Sequence, residues 1–206
     1  MKVLVACEFS GIVREAFRAL GHDAWSCDLL PTEQPGPHIQ SDVLAILGDG
    51  WDLMVAHPPC THLACSGARW FADKLKEQGE AAAFFLALVG APIPRIAVEN
   101  PIGVMSTLYR KPDQIIQPWQ FGNEAQKATC LWLKGLSKLV PTKIVDRGLI
   151  YVDPRGNKHG GVHTMRAKRA YSSLMLLPKT EDRWKIRSRT FPGIAAAMAA
   201  QWGGPA

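Results

Sequence analysis

The sequence predicts an α/β fold built on a doubly wound sheet, and three observations carry that prediction. Short runs of Val, Leu, Ala and Ile alternate with segments of helical periodicity through the first hundred or so residues. A strand, a tight turn, a helix and a second strand open the chain as a βαβ unit does. Two of the later runs stop at proline, in Pro58-Pro59-Cys60 and Glu99-Asn100-Pro101, as strands do where they leave a ladder of backbone hydrogen bonds.

Lys2 to Phe9 is the first strand, Ser10-Gly11 the turn, and Ile12, Ala16, Phe17 and Leu20 mark one face of a helix closed by Gly21. Asp23 to Leu29 is the second strand, with Asp28 near its end. The Pro- and Gly-rich stretch Pro31 to His38 is a loop, and Asp42 opens a short helical stretch. Asp52-Leu-Met-Val-Ala56 is the strand that presents Cys60. Residues 69 to 90 place Phe71, Leu75, Ala82, Phe85, Leu86 and Val89 at helical spacing, a crossover helix that leads to the strand Arg95 to Asn100. Thr129 to Leu133 and Leu149 to Val152 are further strand candidates, and Gly156 to His163 is a polar loop. Pro192 to Trp202 is a closing helix, with proline in its first turn and Gly203-Gly204 past its end. These elements divide the chain into an α/β core over 1–133, a small basic segment over 134–189 and a helix over 190–206 that returns to the core.

With 206 residues, 47% of them apolar, the chain has enough material for one substantial core. It lacks a run of eighteen apolar residues, and its first strand reaches Glu8 too soon for a signal peptide, so a soluble cytoplasmic protein without a membrane partner is expected. Cys7, Cys27, Cys60, Cys65 and Cys130 are odd in number and irregular in spacing, which favours reduced thiols over a disulfide framework. The net charge of +6 is concentrated. Residues 143 to 189 hold twelve of the 24 Lys and Arg but four of the 18 acids, a local excess of +8. Cations interleaved with aromatics, as in Arg166-Ala-Lys-Arg-Ala-Tyr171 and Arg183-Trp-Lys-Ile-Arg-Ser-Arg189, suit a phosphate-bearing partner; a solvated, loop-rich face is the alternative.

A doubly wound sheet gathers the C-terminal ends of its parallel strands on one rim, where ligands bind. Glu8 to Gly11, Cys60 and Glu99 would therefore share a crevice. Gly11 allows a tight turn before a helix N-terminus, Asp28 can accept from ribose hydroxyls, and Asp42 can either bond an adenine amine or cap a helix. The fingerprint for NAD is incomplete, because Val13 stands where it requires glycine. Cys60 and Glu99 make a nucleophile and an acid: thiolate attack on an electron-poor ring carbon calls for a lowered thiol pKa, and partial burial would raise that of Glu99. A zinc cluster of His57, Cys60, His62 and Cys65 is the rival reading, but four ligands within nine residues around two prolines would have to fold back severely.

In the order Phe9-Ser10-Gly11, Asp28, Asp42, Pro58-Pro59-Cys60, Val98-Glu99-Asn100, the chain resembles the cytosine-C5 DNA methyltransferase family. It is similar also to compact, bacteriophage-encoded methyltransferase-like proteins in Gln117-Pro-Trp-Gln-Phe-Gly122, Lys127-Ala-Thr-Cys-Leu-Trp132 and Thr190-Phe-Pro-Gly-Ile-Ala195. The resemblance implies a Rossmann-like methyltransferase sheet and S-adenosylmethionine as cofactor, lined by Phe9, Ser10, Gly11 and Pro58, with Asp28 on its ribose and Asp42 on its adenine. It implies that Cys60 attacks C6 of a cytosine in DNA while Glu99 contacts N3 and the exocyclic amine. It places Asn100, Gln126 and Lys127 with the substrate, and the basic residues Arg166, Arg187 and Arg189 join them. A duplex is the favoured partner, with a single strand or a free nucleotide as alternatives, in the cytoplasm of a bacterial or phage-infected cell.

The chain also departs from that family. Cys7 stands where an acid is expected, Val13 replaces a glycine and Pro101 follows Glu99-Asn100. The family's Gln-x-Arg-x-Arg segment finds only Gln126-Lys127-Ala128-Thr129-Cys130, which leaves Arg187 or Arg189 to supply a guanidinium. The region that would recognise a target sequence is reduced to residues 134 to 189. Two other functions fit these departures: modification of a cytosine nucleotide such as dCMP, and DNA binding without catalysis.

Overall fold

The computed structural model describes residues 1–70, 72–147, 150–152, 158–160, 180 and 182–204. Seven strands form one sheet: β1 Lys2–Ala6, β2 Asp23–Asp28, β3 His38–Gln40, β4 Leu53–Ala56, β5 Arg95–Pro101, β6 Gln114–Ile116 and β7 Thr129–Lys134. Their order is β3-β2-β1-β4-β5-β7-β6. The first five strands run parallel, and β7 runs antiparallel to both of its neighbours. The order reverses between β1 and β4, so the sheet is doubly wound and Rossmann-like, with its crevice at that switch point. β3 and β6 are additions to the predicted set; three residues are too few for a period of two to register. The candidate strand near Leu149 is β8, Ile150–Val152, which pairs outside the main sheet with β9, Lys158–Gly160. The latter falls within the stretch expected to be loop.

Alternation along the strands separates two cores. Val3, Val5, Leu53, Val55, Ala97 and Leu131 face α1 (Ile12–Arg18) and the closing helix, while Leu4, Ala6, Met54, Ala56, Ile96 and Val98 face α2 (Leu75–Val89). Each fully buried side chain such as Phe17 or Phe85 is worth about 1.5–3 kcal/mol. Phe85 adds an edge-on contact with Trp132, ring centres 5.0 Å apart. Two short helices, α3 (Met105–Leu108) and α4 (Arg183–Ser188), precede the closing helix, α5 (Pro192–Trp202). The predicted first helix ends sooner than Gly21: Leu20 lies beyond α1 and is exposed, and Val13 takes a core position instead. The crossover segment begins as 3-10 turns at Cys65–Trp70 and Ala72–Lys74, and it buries Ala82, Phe85 and Leu88 while Leu75 and Leu86 face outward.

One buried charge ties the first helix to the loop after β2. Arg14 is fully buried. Its guanidinium donates to the Ser26 hydroxyl at 2.9 Å, to Thr32 at 3.2 Å, to the carbonyls of Gln34 and Pro35 at 2.9 and 3.1 Å, and to the Glu15 carboxylate at 2.8 Å. The arginine is thus a staple that turns the Pro- and Gly-rich stretch into a defined loop.

Candidate active site

Strand register builds the site. Ala6 of β1 pairs with Ala56 of β4, and Ala56 with Val98 of β5. The next residues along β4 and β5, His57 and Glu99, therefore emerge side by side. The His57 amide donates to the Ala6 carbonyl at 2.9 Å, and its Nδ1 lies 3.2 Å from Glu99 Oε2. β7 enters the same rim from the opposite direction, with Leu131 across from Glu99 and Thr129 across from Pro101, which brings in Lys127 and Thr129. Alternation then points Glu99 toward α5, and Asn100 toward the other face.

Cys60 is exposed, and its carbonyl accepts from the amides of Leu63 and Ala64 at 3.0 and 2.9 Å, so it opens a turn where the strand has ended. Buried Asn100 holds this turn from below, its Nδ2 donating to the Pro58 carbonyl at 3.0 Å. The far side of the turn is pinned to the loop after β5: Cys65 donates to the Ile102 carbonyl at 3.0 Å and Val104 to the Leu63 carbonyl at 2.9 Å. Gly103 permits that approach, because a Cβ there would run into the Leu63 carbonyl.

Two electrostatic expectations are corrected. Although the residue as a whole is exposed, partial desolvation of its sulfur pushes the Cys60 thiol up, the charge of Glu99 pushes it further, and Lys127 and Arg187 only partly oppose them. Burial would raise Glu99 as well, but the hydrogen bond and charge of His57, together with Lys127, hold its carboxyl below the ordinary value. The resting pair is a protonated thiol and an ionised carboxylate, the reverse of the expected thiolate and acid. Alkylation of Cys60 by iodoacetamide, followed by peptide mass, is expected to be slow near neutrality and to climb with pH past the ordinary thiol value of 9.0. A rate already level below that pH would contradict the assignment.

The turn after β1 is filled from within. Glu8 accepts from the amides of Val13 at 2.7 Å and Arg14 at 3.1 Å and from the Ser10 hydroxyl at 3.1 Å, while Ser10 Oγ takes the Ile12 amide at 3.3 Å. A carboxylate thus occupies the start of α1, where a dinucleotide's diphosphate would sit. The NAD alternative is excluded on that ground. Gly11 turns with φ of +73°, and Phe9 is buried behind it. Asp28 is half-buried at the end of β2, its carboxyl pushed up by burial against the pull of the Leu30 amide. Asp42 caps the 3-10 turn Val43–Ile46 by accepting from the Leu44 amide at 3.0 Å.

α4 lies across this rim. Trp184 packs edge-on against Phe9 with ring centres 6.0 Å apart, Lys127 Nζ donates to the Arg187 carbonyl at 3.0 Å, and Arg189 grips Glu33 through two bonds of 2.9 and 2.7 Å. The cavity left between His57, Glu99, Lys127, Thr129, Phe191 and Ile194 encloses about 20 Å³, room for one water.

Of the candidate substrate residues, Lys127 is brought to Cys60 and Glu99, and Arg187 to Cys60. Asn100 lies beneath the cysteine turn, Arg189 is committed to Glu33, and Gln126 donates to the Arg147 carbonyl at 3.1 Å. Arg166 lies outside the described residues. Among the described residues no three His, Cys, Asp or Glu side chains gather as a metal site, and His57 turns to Glu99 instead of toward Cys60, His62 and Cys65. His57 as a partner of Glu99 was missed in the sequence, since their adjacency follows only from the pairing of β4 with β5.

The fold and rim define a Rossmann-like α/β protein with a thiol and a carboxylate at its switch point. No protein-family model matches the chain, and no curated protein is similar to it. Among solved structures it is similar to a chain from E. coli titled as a putative DNA modification methyltransferase encoded within a prophage, at 14% identity and a TM-score of 0.48. That alignment covers 71% of this chain and 52% of the other, so the present chain spans about half the length of that neighbour.

Proposed function

We propose that this protein methylates C5 of cytosine in DNA, with S-adenosylmethionine as cofactor and Cys60 as nucleophile. The observation that carries the reading is the meeting of Cys60, Glu99, Lys127 and Arg187 at one rim, beside the Phe9-Ser10-Gly11 turn. The donor set suits the cofactor. Carboxylates of Asp28 and Asp42 lie at the ends of β2 and β3, and Glu8 fills the one helix start that would attract phosphate, so a cationic sulfonium nucleoside fits where a dinucleotide does not. Phe9, Ser10, Gly11 and Pro58 would line it, Asp28 would hold the ribose and Asp42 the adenine. When bound, it supplies an electrophilic methyl group.

The chain's own residues prepare the base. Cys60, exposed at the rim, gives its proton to solvent water and its sulfur bonds to C6, which moves the electrons of the C5–C6 double bond into the ring and makes C5 nucleophilic. Glu99 hydrogen-bonds N3 and the exocyclic amine as negative charge develops there. After C5 is methylated, loss of its proton to solvent water restores the double bond and expels the Cys60 thiolate. Lys127 and Arg187 stabilise the thiolate. Basic residues between 143 and 189 supply phosphate contacts, with a duplex favoured over a single strand or a nucleotide.

The raised thiol and the covered crevice favour a second reading, a DNA-binding protein that keeps the scaffold without the chemistry. Incubation with a duplex containing 5-fluorocytosine and S-adenosylmethionine separates the two. A protein–DNA adduct that survives denaturation is expected for the enzyme. Salt-sensitive DNA binding with no adduct, and no labelled methyl on DNA or dCMP, would establish the binder.

A further inference from the structure

We propose that His57 is a positioning residue that orients Glu99 and stores the proton which Glu99 passes to N3 of the base; this rests on the cytosine reading above. A histidine inside a protein most often serves packing, with both ring nitrogens satisfied. His57 departs from that pattern. Its side chain is 9% exposed, Nδ1 is committed to Glu99 Oε2 at 3.2 Å, and Nε2 is buried with no hydrogen-bond partner among the described residues while the ring lines the cavity beside Glu99. A buried imidazole nitrogen left open at a ligand cleft is a polar group that packing alone does not account for.

The arrangement also resolves a difficulty in the chemistry. Glu99 is ionised at rest, and a carboxylate cannot donate to N3. A proton held on His57 Nδ1 can pass to Oε2 as charge builds on the ring, and the protonated carboxyl then donates it to N3. The imidazolium becomes neutral imidazole, Glu99 returns to carboxylate, and the base gains one proton. When the C5–C6 double bond re-forms, N3 gives the proton back to Glu99 and Glu99 returns it to His57, so the pair ends the cycle as it began. Among the described residues, the other titratable or charged groups that act on this pair are Lys127 before β7, Cys60 on the turn after β4 and Cys130 on β7, with Arg187 of α4 acting on Cys60; Phe191, Ile194 and Met198, at and beyond the start of α5, are uncharged. Lys127 favours ionised Glu99, which leaves His57 as the proton donor in contact with it.

The test uses the full chain and the substitutions His57→Asn, which keeps an amide donor near Nδ1, and His57→Gln, which serves if the first variant does not fold. Carbon-13 NMR of the Glu99 carboxyl is expected to show its titration moved to higher pH in either variant, a readout that needs neither cofactor nor DNA. Methyl transfer to duplex DNA is expected to fall about a hundredfold in kcat, with DNA affinity kept and the rate's pH profile changed in shape. Variants with wild-type kcat and pH profile, or an unmoved Glu99 titration, would overturn the role of His57 while the methyltransferase reading stands. A wild-type chain that labels no cytosine in any substrate would remove that reading, and the proton relay with it.

Discussion

Cys60→Ser is expected to abolish methyl transfer, by more than about a thousandfold, and to leave the fold intact. In the proposed reaction the sulfur is the atom that bonds to C6, and among the described residues a serine hydroxyl at this position would have no general base in contact with it: Glu99 is bonded to His57, and Lys127 and Arg187 are cations. The residue is exposed, so the thiol-to-hydroxyl change should alter stability by no more than about 0.5 kcal/mol. DNA binding and cofactor binding should both survive. Radiolabel transfer from S-adenosylmethionine to duplex DNA measures the effect, with melting temperature as the control. A folded variant that methylates at the wild-type rate would remove Cys60 from the chemistry.

Arg14→Met is expected to cost about 2–4 kcal/mol, the largest stability effect of any substitution considered. Methionine can fill much of the volume, but it leaves the Ser26 hydroxyl and the Gln34 and Pro35 carbonyls without the donor they face. The damage should spread along a defined route. The loop that Arg14 staples carries Glu33, and Glu33 is the anchor of Arg189 at the end of α4. Loss of the staple should therefore loosen the cover over Phe9 as well as lower the melting temperature. Urea unfolding gives the first quantity and tryptophan fluorescence, through Trp184, reports the second. A variant within about 0.5 kcal/mol of wild type would show that the loop is held by other contacts.

The parallel core was legible because β1, β4 and β5 are apolar runs bounded by turn residues or proline, and α5 carries its own start and stop signals. β3 and β6 were hidden by their brevity. α4 was hidden for a different reason: Arg183, Lys185 and Arg187 read as a basic stretch suited to a phosphate-bearing partner, and nothing local says that Trp184 will meet Phe9 from the far end of the chain. The candidate site was legible as residue types at strand ends, but not as electrostatics. Whether Cys60 titrates high or low depends on Glu99, Lys127 and Arg187, which lie 39, 67 and 127 positions further along. Glu8 and Arg14 show the same limit, since a carboxylate folded back onto amides and a guanidinium sunk under a loop both look exposed in one dimension.

The cover formed by α4 bears on how tightly the protein holds anything as large as a base. The cavity beside Glu99 has room for a water, so a base seated there by the proposed reaction would require the Arg189–Glu33 and Lys127–Arg187 links to part. A ligand then meets only the fraction of molecules that stand open, and its measured dissociation constant is the intrinsic value divided by that fraction. The few bonds at the ends of a six-residue helix would thus set an affinity without touching the ligand.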